Sequence, residues 1–576
     1  MLVLGITNND TAGACLVEDD RVVAAVSEER FTRVKDHKIW PAHSIEFVLQ
    51  HAGHTIADVD HVVYGWSAGF NSDRHLLLYV DRIAEEARIH PQGLPHLRRR
   101  IATEMDNDRA KRLEFDDFVA AHGLQSRAVY IDHHDAHGLG AFVCSPFDDA
   151  LVVTCDGRGD FQSLTISYYS ATGQQVRQRE TTIDSLGYFY GRITQLLGFV
   201  PNRHEGKVTG LAAHGDPERL LPLMRQMIDV EDGRLRARCG MYFQPSYQTY
   251  SDELISRIRQ EKPADVAAAA QRHLEDVLTT LVAAHITQVP TSSVCLAGGV
   301  FGNVKLNQRL LEVDGVDNVY VVPPMGDGGL PLHAAAGHVY RTTGLRPRLP
   351  SMALGVDAAL TGAELTDMLS DRSGLRMLDD VETDIAKLMI AALRANQVIG
   401  VCRGRMEFGP RALGKRSIIY RGDDPTLNDW LNKKLKRTEF MPFAPMTPEC
   451  LAEQCYVGWR PDHPAGLFMT ITYDCTAEFR QLCPAVVHVD NTARPQIVRR
   501  DDDPFLHDLL LSWHASTGQP ALVNTSFNRH EEPIIGTPRE ALAAIEDEIV
   551  DLVVIDDRYV VWKPADNDFV DRYLAR

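Results

Sequence analysis

The chain has no apolar run approaching the ~18–20 residues that a membrane span requires, so no spanning helix is expected. Its opening, MLVLGITNND, lacks both a basic start and a small-residue cleavage site, and no signal peptide is read there. Ten cysteines are scattered without one CxxC pair. That spacing excludes a zinc ribbon and argues for reduced thiols in a cytoplasm rather than a disulfide framework. Positive charge is also scarce: 60 Lys and Arg stand against 79 Asp and Glu, a formal net charge of −19. Polyphosphate binding needs a concentrated positive field, so a large nucleic-acid interface is disfavoured, although a local anion pocket is not. No fixed-period repeat and no low-complexity tract occurs. What remains is a globular composition, 44% hydrophobic and 24% charged, on 576 residues. That length exceeds one ordinary core, so two or three domains are expected.

Apolar runs and turns then give the order of elements. The start reads as strands LVLGI, ACLV and VVAAV around the acidic turn EDD. Strand-and-turn units recur at VVYG (62–65), LVVTCDGRGD (151–160) and SVCLAGGVFGN (293–303). The last two stop at polar or Gly-rich turns, where α/β folds place ligands. Residues 264–287 carry Ala, Leu and Val at helical spacing, and a further helix closes near 344. The segment LRPRLPSMALG has two prolines and no periodicity, so the domain boundary is placed there, between 345 and 346. A second α/β unit follows: helix 384–396, strands QVIGVC and RSIIY, and a closing set at ALVNTSFN and DLVVID.

Three features carry chemistry. In YIDHHDAHGLGAF (130–142), His133 and His137 are four residues apart. On a helix, such a pair shares one face with Cβ atoms roughly 5–6 Å apart. Two imidazoles alone equally suit a surface pair or a satisfied core pair. With Asp156 at a strand end and Asp327 in the turn PPMGDGG, they make an N/O ligand set suited to Fe, Mn or Zn. The second feature is glycine after a strand, in EGKVTGLAAHG and LAGGVFGNVKLN. Such glycines either permit tight turns or let backbone amides approach a phosphate, with Lys207 as a counter-charge. The third is basic: Arg403, Arg405, Arg411, Lys415 and Arg416 fall within GRMEFGPRALGKRS, and Lys433, Lys434, Lys436 and Arg437 follow. Interleaved with Gly, Pro and strands, and joined by Arg494 and NTSFN, they read as an anion pocket rather than a solvated face.

In this order, SEERFTRVK, HHDAH, DGRGD, GKVTGLAAHG, AGGVFGNVKLN, GPRALGKRS, PFAP and NTSFNRHEEPI resemble the O-carbamoyltransferases of antibiotic and nodulation-factor biosynthesis, the NodU/CmcH family. The resemblance covers nearly the whole chain. It implies an α/β protein of two modules. Residues 1–345 would form an actin-like metal- and nucleotide-binding domain with duplicated ribonuclease-H-like subdomains; residues 346–576 would form an open, YrdC-like α/β domain. It further implies that ATP, as Mg-ATP, and carbamoyl phosphate give carbamoyl-adenylate in the second domain. The carbamoyl group would then pass to a small hydroxylated acceptor in the first. By that resemblance, His133, His137, Asp156 and Asp327 hold a divalent metal, Fe(II) first and Mn or Zn otherwise. Lys35, Lys207, Gly298, Gly299, Asn303, Arg411, Lys436, Arg494, Asn524 and Ser526 bind ATP or carbamoyl phosphate. Where relatives carry a His-Asp pair as the candidate base, this chain has Asn9-Asp10. Asparagine takes no proton near neutral pH, so either Asp10 or another group does that work, or transfer is slow. Met441 also stands where relatives often have Arg before PFAP, a contact Arg437 could replace. Catalytic roles are accordingly expected of Asn9, Asp10, Arg411 and Lys436. The alternatives are a nucleotide-binding paralogue without turnover and a threonylcarbamoyl-type tRNA-modifying enzyme; the negative charge and the lack of a basic stripe count against the second. A cytoplasmic location, no membrane or nucleic-acid partner, and a homodimer on base rate complete the expectations.

Overall fold

The computed structural model describes every residue except 68–72, 241, 246–250, 350, 373, 382, 436–440 and 576, with the side chains of Asp73 and Arg74 also left aside. The chain forms two compact units. The first comprises residues 1–25, 38–350 and 462–465; the second comprises 26–37, 351–461 and 466–576. The segment read as a linker spans the passage from first to second. Residues 26–37, read with the first domain in sequence order, pack with the second unit.

In the first unit, strands β1 (Leu2–Thr7), β2 (Gly13–Glu18), β3 (Arg21–Ser27) and β4 (His61–Tyr64) precede the long helix α1 (Leu94–Ala121). Strand β5 (Ala128–Tyr130) and helix α2 (His133–Val143) follow. These five strands form one sheet in the order β3-β2-β1-β4-β5, with β1 antiparallel to β2 and parallel to β4. A second sheet uses β6 (Ala150–Gly159), β7 (Gln162–Ser170) and β8 (Gly173–Thr181). After helices α3 (Glu205–Ala212) and α4 (Pro263–Ile286) it is completed by β9 (Ser293–Ala297), helix α5 (Val304–Leu311) and β10 (Asn318–Val321). Its order is β8-β7-β6-β9-β10, with β6 antiparallel to β7 and parallel to β9. The same strand order therefore occurs twice. The reason is visible in the sequence: an apolar strand that serves as the parallel centre is buried on both faces, as LVLGIT and ALVVTC are.

Helix α6 (Leu330–Thr343) packs on β1, β2 and β4, while α2 packs on β6, β7 and β9; the two helices also pack on each other. At that crossing, a Cβ on Gly337 would come 2.8 Å from the Leu139 side chain. Glycine costs helix propensity here, and the close packing offsets it.

The second unit is built on an eight-stranded mixed sheet. Its elements are β11 (Arg376–Asp379), helix α7 (Ile385–Arg394), β12 (Ile399–Cys402), β13 (Arg416–Arg421), β14 (Ala444–Pro448), β15 (Gln496–Val498), helix α8 (Pro504–Thr517), β16 (Leu522–Ser526), β17 (Leu552–Ile555) and β18 (Tyr559–Trp562). They run β11-β18-β17-β12-β13-β16-β14-β15 across the sheet. Leu388 and Met389 of α7 and Leu509, Leu510 and Trp513 of α8 belong to its buried core. Residues 26–37 are tied in by Arg33, which donates to the carbonyls of Ile534 (2.8 Å) and Pro533 (2.9 Å) and pairs with Glu540 at 2.7 Å. The α/β class expected from the sequence is what both units show. No helix among the described residues is long and apolar enough to cross a membrane.

Candidate metal centre

Helix α2 opens on His133, so the i, i+4 relation sets the His133 and His137 rings on one face at its N-terminal end. Strand β6 is apolar and buried through Cys155 and delivers Asp156 just beyond that run. Asp327 comes from the turn after β10. His133 Nε2 lies 3.8 Å from Asp156 Oδ2 and 3.6 Å from Asp327 Oδ1; His137 Nε2 lies 3.6 and 3.7 Å from the same atoms. All four ligand atoms fall within 4.8 Å of one another. Both rings are fully buried, and neither Nε2 has a hydrogen-bond partner among the described residues. Leaving such a nitrogen unsatisfied costs about 1–3 kcal/mol. The donor set thus fits a divalent cation, and two nitrogens with two carboxylate oxygens is not a soft-metal site.

The electrostatics agree. Burial, reinforced by the neighbouring His133 and His333, pushes His137 well below the ordinary imidazole value and keeps it neutral, as a ligand must be. Burial and then the charges of Asp156 and Asp10 push Asp327 well above the ordinary carboxylate value. Two carboxylates converging on one point do not both ionise comfortably without a cation between them.

The surroundings fix these side chains. Asp156 Oδ1 accepts the Gly157 amide at 2.8 Å and Oδ2 accepts the Gly299 amide at 3.0 Å. Gly298 makes that approach possible: its φ is +104°, its amide donates to Met325 O at 2.7 Å, and a Cβ there would fall 2.2 Å from Cys155 O. Asp160 Oδ2 accepts the amides of His133 (2.8 Å) and Ser67 (3.0 Å), and burial together with the Asp132 charge pushes its carboxyl up to about 7. The Trp66 ring meets His133 edge-on at 4.3 Å, and Arg158, paired to Asp108 of α1, lies 5.2 Å from the Trp66 ring centroid. His333 of α6 places its Nδ1 3.2 Å from His137 Nδ1. The sequence reading did not include His333. Its signal was faint: one of two histidines in a helix, six residues after Asp327.

The other expected residues of this unit are placed differently. Gly298 and Gly299, read as approaching a phosphate, here support Asp156. Asn303 caps α5 through Leu306 N (3.1 Å), and its amide donates to Gln271 at 2.7 Å. Lys207 is buried on α3. Asn9 and Asp10 follow β1. Asp10 forms an ion pair with Lys38 and accepts from Asn202 at 3.1 Å. Lys35 lies in the 26–37 segment of the second unit.

In the second unit the basic cluster is largely paired within the chain. Arg403 forks onto Asp503 and also binds Asp557; Lys415 reaches the same Asp503 at 2.7 Å. Against its burial, these two cations hold Asp503 down at about 2. Arg416 is fully buried and donates to the carbonyls of Gly536, Arg403, Gly404 and Val356. Arg405 donates to the carbonyls of Gly355 and Leu354. Glu407 Oε1 takes the amides of Leu413 (2.6 Å), Lys415 (2.7 Å) and Arg416 (3.2 Å), so an internal carboxylate already fills that ring of backbone donors. This corrects the reading of Arg403, Arg405, Lys415 and Arg416 as one open anion pocket. Arg411 stays on the loop they brace. Asn524 also braces it, donating to Ala412 O (3.1 Å) and Gln496 Oε1 (2.7 Å), while Gln496 donates to Leu413 O (2.9 Å). Ser526 ends β16 opposite Ser417. Arg494 lines a shallow cleft with Met441, Phe443, Thr472 and His488. Lys436 and Arg437 lie outside the described residues.

Comparison with known proteins gives this arrangement a family. Residues 2–336 match the family described as carbamoyltransferase N-terminus, and residues 390–563 match carbamoyltransferase C-terminus. The chain belongs to the carbamoyltransferases and is a transferase enzyme. It is 30% identical to an uncharacterized protein of Synechocystis sp., covering 98% of this chain and 97% of that one. It is also 30% identical to nodulation protein NolNO of Sinorhizobium fredii (96% and 78%) and 25% identical to nodulation protein U of the same species (92% and 94%).

Proposed function

We propose that this carbamoyltransferase makes carbamoyl-adenylate from ATP and carbamoyl phosphate in its C-terminal half and passes the carbamoyl group to a hydroxyl of a small secondary metabolite in its N-terminal half, in a cytoplasm. The observation that carries the reading is the convergence of two desolvated imidazoles and two carboxylates on one point in a chain of this family. The strand order repeated in the first unit supports an actin-like pair of subdomains; the YrdC-like reading of the second rests on the family resemblance.

Water, ATP and carbamoyl phosphate give carbamoyl-adenylate, pyrophosphate and phosphate. Arg411 and Arg494, with Lys436, neutralise charge as phosphate leaves, and Ser526 donates a hydrogen bond. Asn524 acts one step back, holding the Arg411 loop through Ala412. Lys35, Lys207 and the Gly298 to Asn303 turn serve the nucleotide. His133, His137, Asp156 and Asp327 hold a divalent metal, Fe(II) or alternatively Mn or Zn. When bound, it supplies positive charge beside a phosphate or carbonyl oxygen. The acceptor oxygen forms the new bond to the carbamoyl carbon, AMP leaves with the old bond's electron pair, and a nearby base takes the proton. Asn9 cannot be that base, and Asp10 must work while paired with Lys38.

The test is the full chain with Fe(II), Mg-ATP and carbamoyl phosphate, read by AMP and pyrophosphate release. The second readout is a mass gain of one carbamoyl group across a panel of hydroxylated metabolites. ATP binding with no AMP or pyrophosphate release would instead make the chain a nucleotide-binding paralogue. A carbamoyl-derived mark on tRNA would make it a tRNA-modifying enzyme.

A further inference from the structure

Beyond the four ligands, the geometry points to His333 as the positioning residue that fixes the tautomer and ring orientation of His137. This rests on the metal reading of the site. His137 presents Nε2 to Asp156 and Asp327, and a ligand nitrogen must keep its lone pair, so the ring proton sits on Nδ1. That N–H points at His333 Nδ1, 3.2 Å away. His333 therefore accepts with Nδ1 and carries its own proton on Nε2. The partner of a ligating histidine is more often a carboxylate or a carbonyl. Here it is a second, uncharged imidazole, which orients the ligand without adding negative charge to a centre that already holds two carboxylates.

His333 is placed to do this because its ring is clamped. It is fully buried. A Cβ on Gly140, one turn along α2 from His137, would fall 2.4 Å from the His333 ring. A Cβ on Gly329, two residues beyond Asp327, would fall 2.7 Å from its Cε1. One ring thus spans the helix that carries His137 and the turn that carries Asp327; Gly140 gives up a side chain to admit it, and at Gly329 the Pro324 carbonyl, 2.1 Å from such a Cβ, bars a side chain as well.

The test compares two near-isosteric replacements in the full chain. His333→Gln keeps an amide oxygen as acceptor; His333→Met offers only a weakly accepting thioether at similar size. Co(II) is titrated into each protein and into wild type, with visible absorption and calorimetry as readouts and apo melting curves as the control for folding. Affinity is expected to fall about 10- to 100-fold in His333→Met, and to stay within a few-fold of wild type in His333→Gln. Equal loss in both would make His333 a packing residue only, and no loss in either would remove its role altogether; each overturns the proposal. Should wild type itself take up no Co(II), with His133→Ala indistinguishable from it, the metal reading fails first and this inference with it.

Discussion

Two polar clusters, one in each unit, were equally prominent in the sequence and have opposite organisation in the structure. Around His133 and His137 the ligand atoms converge on a point, and the two imidazole Nε2 atoms find no hydrogen-bond partner among the described residues. Around Arg403, Lys415 and Arg416 nearly every charge finds an aspartate, a glutamate or a carbonyl. Clustered chemistry is therefore a signal of function where its hydrogen bonding is left open, and of architecture where it is closed. The second cluster is architectural: it stiffens the loop that carries Arg411.

The contrast can be broken by substitution. Asp156→Asn removes a ligand carboxylate and should abolish stoichiometric metal uptake and lower carbamoyl transfer by about 10^3-fold, while leaving the melting temperature of the apo chain nearly unchanged. Metal analysis and a transfer assay check it. Arg403→Ala should do the reverse. It leaves Asp503 with Lys415 alone and takes the Arg403 partner from Asp557, and should cost about 3 kcal/mol of second-unit stability in denaturant titration, with metal uptake intact.

Acid should separate the clusters more gently. Asp503 is held at about 2, below the unfolded value of about 3.9. Its pairing stabilises the fold fully above pH ~4, and this contribution, about 2 kcal/mol, is lost as pH falls from ~4 to ~2. Acid unfolding followed by a second-unit tryptophan such as Trp513 should lose this sensitivity in Asp503→Asn. The smallest effect concerns Asn303. As a helix cap its replacement by Ala should cost about 1 kcal/mol, and Ser should recover most of it. Thermal melts distinguish that from a nucleotide ligand, whose loss would lower ATP affinity in both variants.

Much of the scaffold was legible. The helix read over 264–287 is Pro263–Ile286, and the strands read from LVLGI, RSIIY and QVIGVC stand at Leu2–Thr7, Arg416–Arg421 and Ile399–Cys402. Period and turn chemistry are local, so the sequence carries them openly. The four proposed ligands could be gathered because HxxxH has a fixed reach and Asp156 and Asp327 follow apolar strands. What stayed hidden depended on distant partners. Arg403 looked free because Asp503 and Asp557 lie 100 and 154 residues away. The tie of Gly299 to the candidate metal centre stayed hidden because the acceptor of its amide, Asp156, is 143 residues back. His333 carried no periodic or motif signal, since its meaning comes only from the nitrogen it faces.

Residues 26–37 carry one more consequence. They emerge early from the ribosome, yet Arg33 must wait for Pro533, Ile534 and Glu540 before its bonds can close. The C-terminal half expressed from residue 346 onward would lack the segment that makes these bonds, so it should be poorly soluble by itself and recover when a peptide spanning 26–37 is supplied in trans. The two halves of the gene are not interchangeable cassettes: a domain swap that cuts only once, at the apparent linker, leaves a stitch behind in the wrong protein.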